Sequence, residues 1–252
     1  MSTTLPPLEL TDLAKKLLPE SDWTKPSLQS DVQRATQLLL PLIDHTILKP
    51  EATITDIRKI CSEAKKYLFA SVCVHPYWVP VVAAELSGTD RIVCSVIGFP
   101  SGIHSPLAKQ REAELAIEAG AAELDMVWNI GAAKSGEWEA VVEDLYAVIS
   151  TARDKVSVKV ILESSALTEA ELRHGSELAQ RAGAAFIKTS TGFHPTGGAT
   201  AQAVKIMREV VGDTIGVKAS GGIRDLRTAL IMVAAGANRI GSSSGVTIAE
   251  AK

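Results

Sequence analysis

Residues 182–222 read AGAAFIKTSTGFHPTGGATAQAVKIMREVVGDTIGVKASGG. An Ala-Gly-Ala turn leads into a short apolar run, Ala185 to Ser190, and then a loop rich in Gly, Ser and Thr. An amphipathic stretch follows from Ala201 to Val211, then a second apolar run from Thr214 to Ser220 and another glycine loop. Apolar runs without polar alternation fit parallel strands covered on both faces, and the stretch between them fits a crossover helix. The unit is strand, loop, helix, strand.

The same rhythm runs through the chain from about Pro41. Further candidate strands are Leu42 to Thr46, Ala70 to Val74, Arg91 to Ile97, Ala122 to Trp128, Val156 to Leu162 and Asn238 to Ser243. Candidate helices between them include Pro106 to Ala119, Glu137 to Thr151 and Thr168 to Ala182. Thr168 and Glu171 have the spacing of a capping box. Ala-Gly-Ala turns at Gly120, Gly183 and Gly236 suit left-handed helix stops. Roughly eight units in about 210 residues match a (β/α)8 TIM barrel. A doubly wound open sheet shares the alternation, but no GxGxxG follows the first strand, and polar groups end many strands rather than one switch point. Residues 1–40 stand apart as an N-terminal helical extension, with helices expected over Asp12 to Leu18 and Leu28 to Leu40, and residues 41–252 make up the barrel. The extension is expected across the barrel's bottom or at a subunit contact, with the part before Leu8 read equally well as a partly ordered tail. The last helix, ending near Lys252, must be short.

Composition narrows the function. The 252 residues carry 26 basic and 29 acidic side chains, a net charge of −3, which argues against a domain that tracks nucleic-acid phosphates. No apolar run has membrane-spanning length, and the N-terminus lacks the pattern of a secretion signal. Three cysteines without CxxC spacing suggest neither a disulfide framework nor a zinc site, and the reading is of a reduced, cytoplasmic protein. The five histidines show no metal-binding spacing. Cys73 and Cys94 read as small core residues.

Lysine inside an apolar strand is the most unusual feature. Lys159, Lys188 and Lys218 each occupy one, on consecutive strands. A single strand lysine can extend its charge to the rim, whereas three together point to one pocket. Ammonium groups sharing a pocket repel, which with burial drives at least one toward a neutral, nucleophilic amine. Asp125, in the apolar strand AELDMVW, is either their ion-pair partner or a general acid/base. Asp44 offers a second carboxylate, or caps the turn that follows. Thr191-Gly192, Ser220-Gly221-Gly222 and Ser242 to Gly245, after the last three strands, read together as an anion site, with Arg224 the one basic candidate nearby.

These motifs resemble the deoxyribose-phosphate aldolase family of class I aldolases. The likeness is carried by LIDHTILKP from Leu42, SVCVHP from Ser71, SVIGFPSG from Ser95, AELDMVWNIG from Ala122, KVILESSALT from Lys159, FIKTSTGF from Phe186, GVKASGGIR from Gly216 and RIGSSSG from Arg239. The resemblance implies that Lys188 forms a Schiff base and that Asp125 and Lys218 transfer protons. It puts Gly192, Gly221, Gly222, Ser243 and Ser244 in a phosphate cradle, and Asp44 and Thr46 at the substrate pocket. It further implies reversible cleavage of 2-deoxy-D-ribose 5-phosphate to D-glyceraldehyde 3-phosphate and acetaldehyde. That reaction needs no metal or other cofactor, no nucleic acid and no membrane, and the enzyme is expected to be a homo-oligomer, a dimer or tetramer. GFPSGIH and HPTGGAT depart from the family's usual phrases after the third and sixth strands. Two other readings stay open: a different Schiff-base barrel, such as a transaldolase or keto-acid aldolase, and a catalytically silent barrel that binds sugar phosphates.

Overall fold

Eight strands follow in sequence: β1 (Ile43–Thr46), β2 (Ser71–Val74), β3 (Ile92–Ile97), β4 (Glu123–Val127), β5 (Ser157–Ile161), β6 (Phe186–Lys188), β7 (Gly216–Ser220) and β8 (Arg239–Ser242). Each pairs in parallel with its sequence neighbours. β8 also pairs with β1, Ile240 opposite Ile43 and Gly241 opposite Asp44, and this closes the sheet. The fold is a (β/α)8 TIM barrel, and the open sheet is excluded. The computed structural model describes residues 5–153 and 155–251. The expected partly ordered start falls partly on residues 1–4, and the expected chain end on Lys252. Both lie outside the described residues.

The helices are α1 (Leu8–Leu17), α2 (Pro26–Leu39), α3 (Ile54–Tyr67), α4 (Val79–Leu86), α5 (Pro106–Glu118), α6 (Ile130–Lys134), α7 (Trp138–Ala152), α8 (Glu169–Ala182), α9 (Ala201–Val211), α10 (Leu226–Ala234) and α11 (Gly245–Ala249). Local chemistry sets their ends. Thr168 and Glu171 form the capping box at α8, and Thr53 and Asp56 form another at α3. Gly120, Gly183 and Gly236 take φ of 107°, 98° and 114°, so each Ala-Gly-Ala turn stops its helix in the left-handed region. α11 is short, five residues long.

α1 begins at Leu8, four positions before the expected Asp12. Its buried stripe of Leu10, Ala14 and Leu17 has helical spacing and starts ahead of the charged segment. It packs on α2 and α10, on the outer wall. There Arg227 of α10 donates to the Leu18 and Glu20 carbonyls at 2.7 and 2.8 Å, with its guanidinium over the Trp23 ring. Strand β6 is shorter than its apolar run. Ladder pairing stops at Lys188, and Thr189 and Ser190 continue as buried loop.

Candidate active site

Strand side chains alternate between faces, so inward residues recur at every second position. Glu123 and Asp125 of β4 share the barrel interior with Asp44 (β1), Lys159 (β5), Lys188 (β6), Lys218 (β7) and Arg239 (β8), all buried. Register brings them together: Asp125 lies opposite Lys159, and Lys188 opposite Lys218. One Asp125 oxygen accepts from Lys188 Nζ at 2.7 Å and from Lys218 Nζ at 2.6 Å. The other accepts from Lys159 Nζ at 2.9 Å and from the Cys94 thiol at 3.2 Å. Lys218 also reaches Asp44 at 2.5 Å, and Lys159 reaches Glu123 at 2.5 Å. Arg239 closes the lower tier with bonds to Asp44 at 2.8 Å and Glu123 at 3.2 Å. The close approach of Lys218 depends on Gly241, where an added Cβ would lie 3.1 Å from Lys218 Cε and 2.9 Å from Ser220 Cβ.

Electrostatics in this cluster run against the simple repulsion expected of neighbouring lysines. Burial alone would push Lys218 down, but the Asp125 and Asp44 carboxylates outweigh it and hold the ammonium well above its ordinary value. Lys159 behaves alike: burial is overcome chiefly by Asp125, with Glu123 and Asp44 adding to it. The carboxylates respond in turn. Burial would raise Asp125, yet Lys159, Lys188 and Lys218 hold it well below the usual range. Burial would raise Asp44 likewise, but Arg239, Lys218 and Lys159 keep it low. Asp44, Glu123 and Asp125 thus face three lysines and one arginine in the interior. Lys188 has the thinnest compensation, because Asp125 is its one carboxylate partner among the described residues.

Above the cluster opens a cavity of about 500 Å³. Lys188 forms part of its lining, whereas Asp125 and Lys218 lie beneath it. Thr46, Gly192, Gly221, Gly222 and Ser243 line it as well, so the loops after β6, β7 and β8 meet there. Ser244 stays outside the lining, and its backbone N–H donates to Ser242 Oγ at 2.9 Å. Asp44 neither lines the cavity nor caps a turn. It is fully buried beneath the cavity and accepts from Ser71 Oγ at 2.7 Å. Arg224 is not the only base at the rim, since Lys49 and Lys59 share the lining.

Glu123 and Arg239 escaped the sequence reading. Glu123 had a signal, standing two positions before Asp125 and so on the same strand face. Arg239, the first residue of β8, reads as a rim residue until the closed barrel buries it. Among the described residues, one group of potential metal ligands exists, Cys73, Cys94 and Asp125, with ligand atoms within 4.8 Å of one another. Both Asp125 oxygens already hold ammonium groups, which oppose a further cation.

A closed barrel that delivers titratable side chains from several strands into one cavity defines the class of (β/α)8-barrel enzymes. The chain belongs to the DeoC/LacD family of aldolases, whose model matches residues 38–250. It is 55% identical over 208 residues to a deoxyribose-phosphate aldolase from Clostridium tetani, covering 82% of this chain and 96% of that protein. A deoxyribose-phosphate aldolase from Geobacillus sp. is also 55% identical, over 84% of this chain and 94% of its own. Among solved structures, the tetrameric deoxyribose phosphate aldolase from Aeropyrum pernix superposes with a TM-score of 0.81 at 32% identity, covering 97% of each chain.

Proposed function

We propose that this aldolase reversibly cleaves 2-deoxy-D-ribose 5-phosphate to D-glyceraldehyde 3-phosphate and acetaldehyde through an imine on Lys188, without a metal. The observation that carries the reading is the single carboxylate, Asp125, held between Lys188 at 2.7 Å and Lys218 at 2.6 Å, with Lys188 alone of the three facing the cavity. In the cleavage direction the neutral Lys188 amine attacks C1 of the open-chain aldehyde, and loss of water leaves an iminium, an electron sink. Removal of the C3 hydroxyl proton then breaks C2–C3. The bond's electron pair moves into an enamine on Lys188, and glyceraldehyde 3-phosphate leaves. Protonation at C2 and hydrolysis by water release acetaldehyde and restore the amine. Asp125, with Lys218 behind it, shuttles the protons, through water where the substrate lies beyond direct reach.

The phosphate sits where Gly192, Gly221, Gly222 and Ser243 converge, with Ser244 next to them in the chain and Arg224, Lys49 and Lys59 adding positive potential at the rim. Thr46 borders the substrate, and Asp44 acts from below by holding Lys218. We further infer a homo-oligomer, in keeping with the tetramer of the Aeropyrum pernix relative, and a cytoplasmic location, in keeping with three free cysteines. Residues 1–40 act as an appended helical segment on a catalytic barrel of residues 41–252.

Borohydride reduction in the presence of acetaldehyde tests the reading. Mass spectrometry should find one added ethyl group, on the peptide that contains Lys188. Labelling mainly at Lys159 or Lys218 overturns the assignment. Absence of any adduct favours the silent sugar-phosphate binder. Formation of products other than acetaldehyde and glyceraldehyde 3-phosphate points to another Schiff-base barrel.

A further inference from the structure

Among the described residues, Leu68 and Glu163 are the non-glycine positions with positive φ. Leu68 is the exposed C-cap of α3, an ordinary place for that conformation. Glu163 is different. It follows β5 at φ 55° and ψ 59°, and it is 1% exposed. A side chain in the left-handed region persists where its surroundings fix it, and such positions gather near functional sites.

The surroundings here are specific. The bend that carries Glu163 is tied to the end of β6, Leu162 N–H donating to the Lys188 carbonyl at 3.0 Å and Ser164 N–H to that of Thr189 at 2.7 Å. The left-handed turn between these two bonds sends the Glu163 carboxylate to the next loop. There it accepts from Thr191 Oγ1 at 2.5 Å and from Thr191 N–H at 3.2 Å. Thr191 Oγ1 in turn accepts from Phe193 N–H at 3.1 Å. The carboxylate thus pins both sides of Gly192, whose φ is 83° and where an added Cβ would lie 3.5 Å from Gly221 Cα. Thr191 and Gly192 line the cavity, while Glu163 does not.

We propose that Glu163 is a positioning residue that holds the Thr191-Gly192 turn against Gly221 and thereby sets the affinity for the phosphate end of the substrate. This rests on the phosphate lying at the Gly192–Gly221 contact, as the proposed function has it. The carboxylate acts through Thr191 and touches no substrate atom. Its loss loosens the turn and leaves the Lys188–Asp125–Lys218 centre in place.

The test uses Glu163→Gly, which suits the backbone and removes the carboxylate, and Glu163→Gln, which keeps the shape and one acceptor. For Glu163→Gly, KM for deoxyribose 5-phosphate should rise about tenfold, the scale of losing charge-assisted hydrogen bonds. Its kcat, and both constants for unphosphorylated deoxyribose, should stay within about threefold, with Glu163→Gln intermediate. Equal losses on the two substrates, a loss confined to kcat, or no change in either variant overturns the proposal. Inorganic phosphate binding, measured by calorimetry on wild type and both variants, decides the matter independently of turnover. Weaker binding in the order wild type, Gln, Gly supports the positioning role, and equal binding overturns it. Should wild type bind phosphate yet leave deoxyribose 5-phosphate uncleaved, the proposed substrate fails while the calorimetric order still decides the role of Glu163. If Glu163→Gly does not fold, Glu163→Gln carries both measurements.

Discussion

Lys218 has two carboxylate partners and is fully buried, so its ammonium is a fixed charge beneath the cavity that Lys188 lines. Replacing it by Leu removes that charge and leaves Asp44 and Asp125 each short of a cation. If Asp125 and Lys218 move protons as a unit, kcat/KM for deoxyribose 5-phosphate should fall by about 10²–10⁴, the usual share of acid–base catalysis. Borohydride trapping on Lys188 should persist at a reduced rate, and a variant with wild-type kcat/KM would remove Lys218 from the mechanism. Gly241→Ala offers a milder probe. Its Cβ would lie 2.9 Å from Ser220 Cβ and 3.1 Å from Lys218 Cε, so kcat should drop severalfold and the thermal midpoint should fall with it. A midpoint loss with unchanged kcat would show that the contact matters to packing alone. At this scale the sequence was informative about identity and offered Asp125 as a partner for the lysines, but was silent about Glu123 and Asp44 as partners and about the geometry of each pair. Lysines inside apolar strands are visible in one dimension, but which carboxylate each one meets depends on the register of neighbouring strands.

Helices brought in a buried pair that their sequence hides. Lys109 of α5 lies in AKQRE, a charged run that reads as solvated, yet it is fully buried and bonds Asp144 of α7 at 2.8 Å and the Val127 carbonyl at 2.9 Å. Asp144 also accepts from Asn129 N–H at 2.9 Å, so the pair fastens α5 and α7 to the end of β4. Burial pushes Lys109 down and Asp144 up, against their mutual attraction. Lys109→Met should therefore cost about 3–5 kcal/mol of unfolding free energy in urea, because a buried carboxylate loses its partner. An acid with a raised folded pKa favours its protonated form in the fold, so the variant's deficit should grow from pH 5 to pH 8. A deficit independent of pH would mean that lost packing, and not the stranded carboxylate, is the cause. Adding Asp144→Asn should return part of the loss. Helix ends, by contrast, were legible. Thr168 and Glu171 cap α8 through local bonds that need no distant partner, whereas α1 starts at Leu8, ahead of the expected Asp12, because its stripe is defined by burial against α10.

For the molecule as a whole, the interior charges couple folding to pH. Asp44 and Asp125 have folded pKa values well below those of the unfolded chain. Their stabilisation is complete above the unfolded value of about 3.9 and is lost as pH falls from there toward the folded values. Unfolding free energy in urea should therefore fall steeply below about pH 4. A level curve down to pH 3 would mean that the carboxylates are not ionised in the fold as their lysine and arginine partners require. The same cluster explains why one closed barrel, and not a sheet of eight strands, makes the site. Asp44 on β1 meets Arg239 on β8 and Lys218 on β7 only because the first and last strands pair.

The sequence by itself determined the strand–helix rhythm, the helix caps and glycine stops, and the side chains available for imine chemistry, since each depends on residues a few positions apart. The family followed from motifs spread along the barrel, each a short local phrase. Tertiary structure alone decided the rest: that Asp125 is shared among three lysines, that Asp44 lies beneath the cavity, that Glu123 and Arg239 complete the interior, and that Glu163 reaches Thr191. These contacts join strands and loops far apart in the chain, and ion pairing reverses the direction in which burial would move the charges of Lys218 and Asp125. Composition and spacing carry the sign of every charge. Only the closed sheet supplies the distances between them.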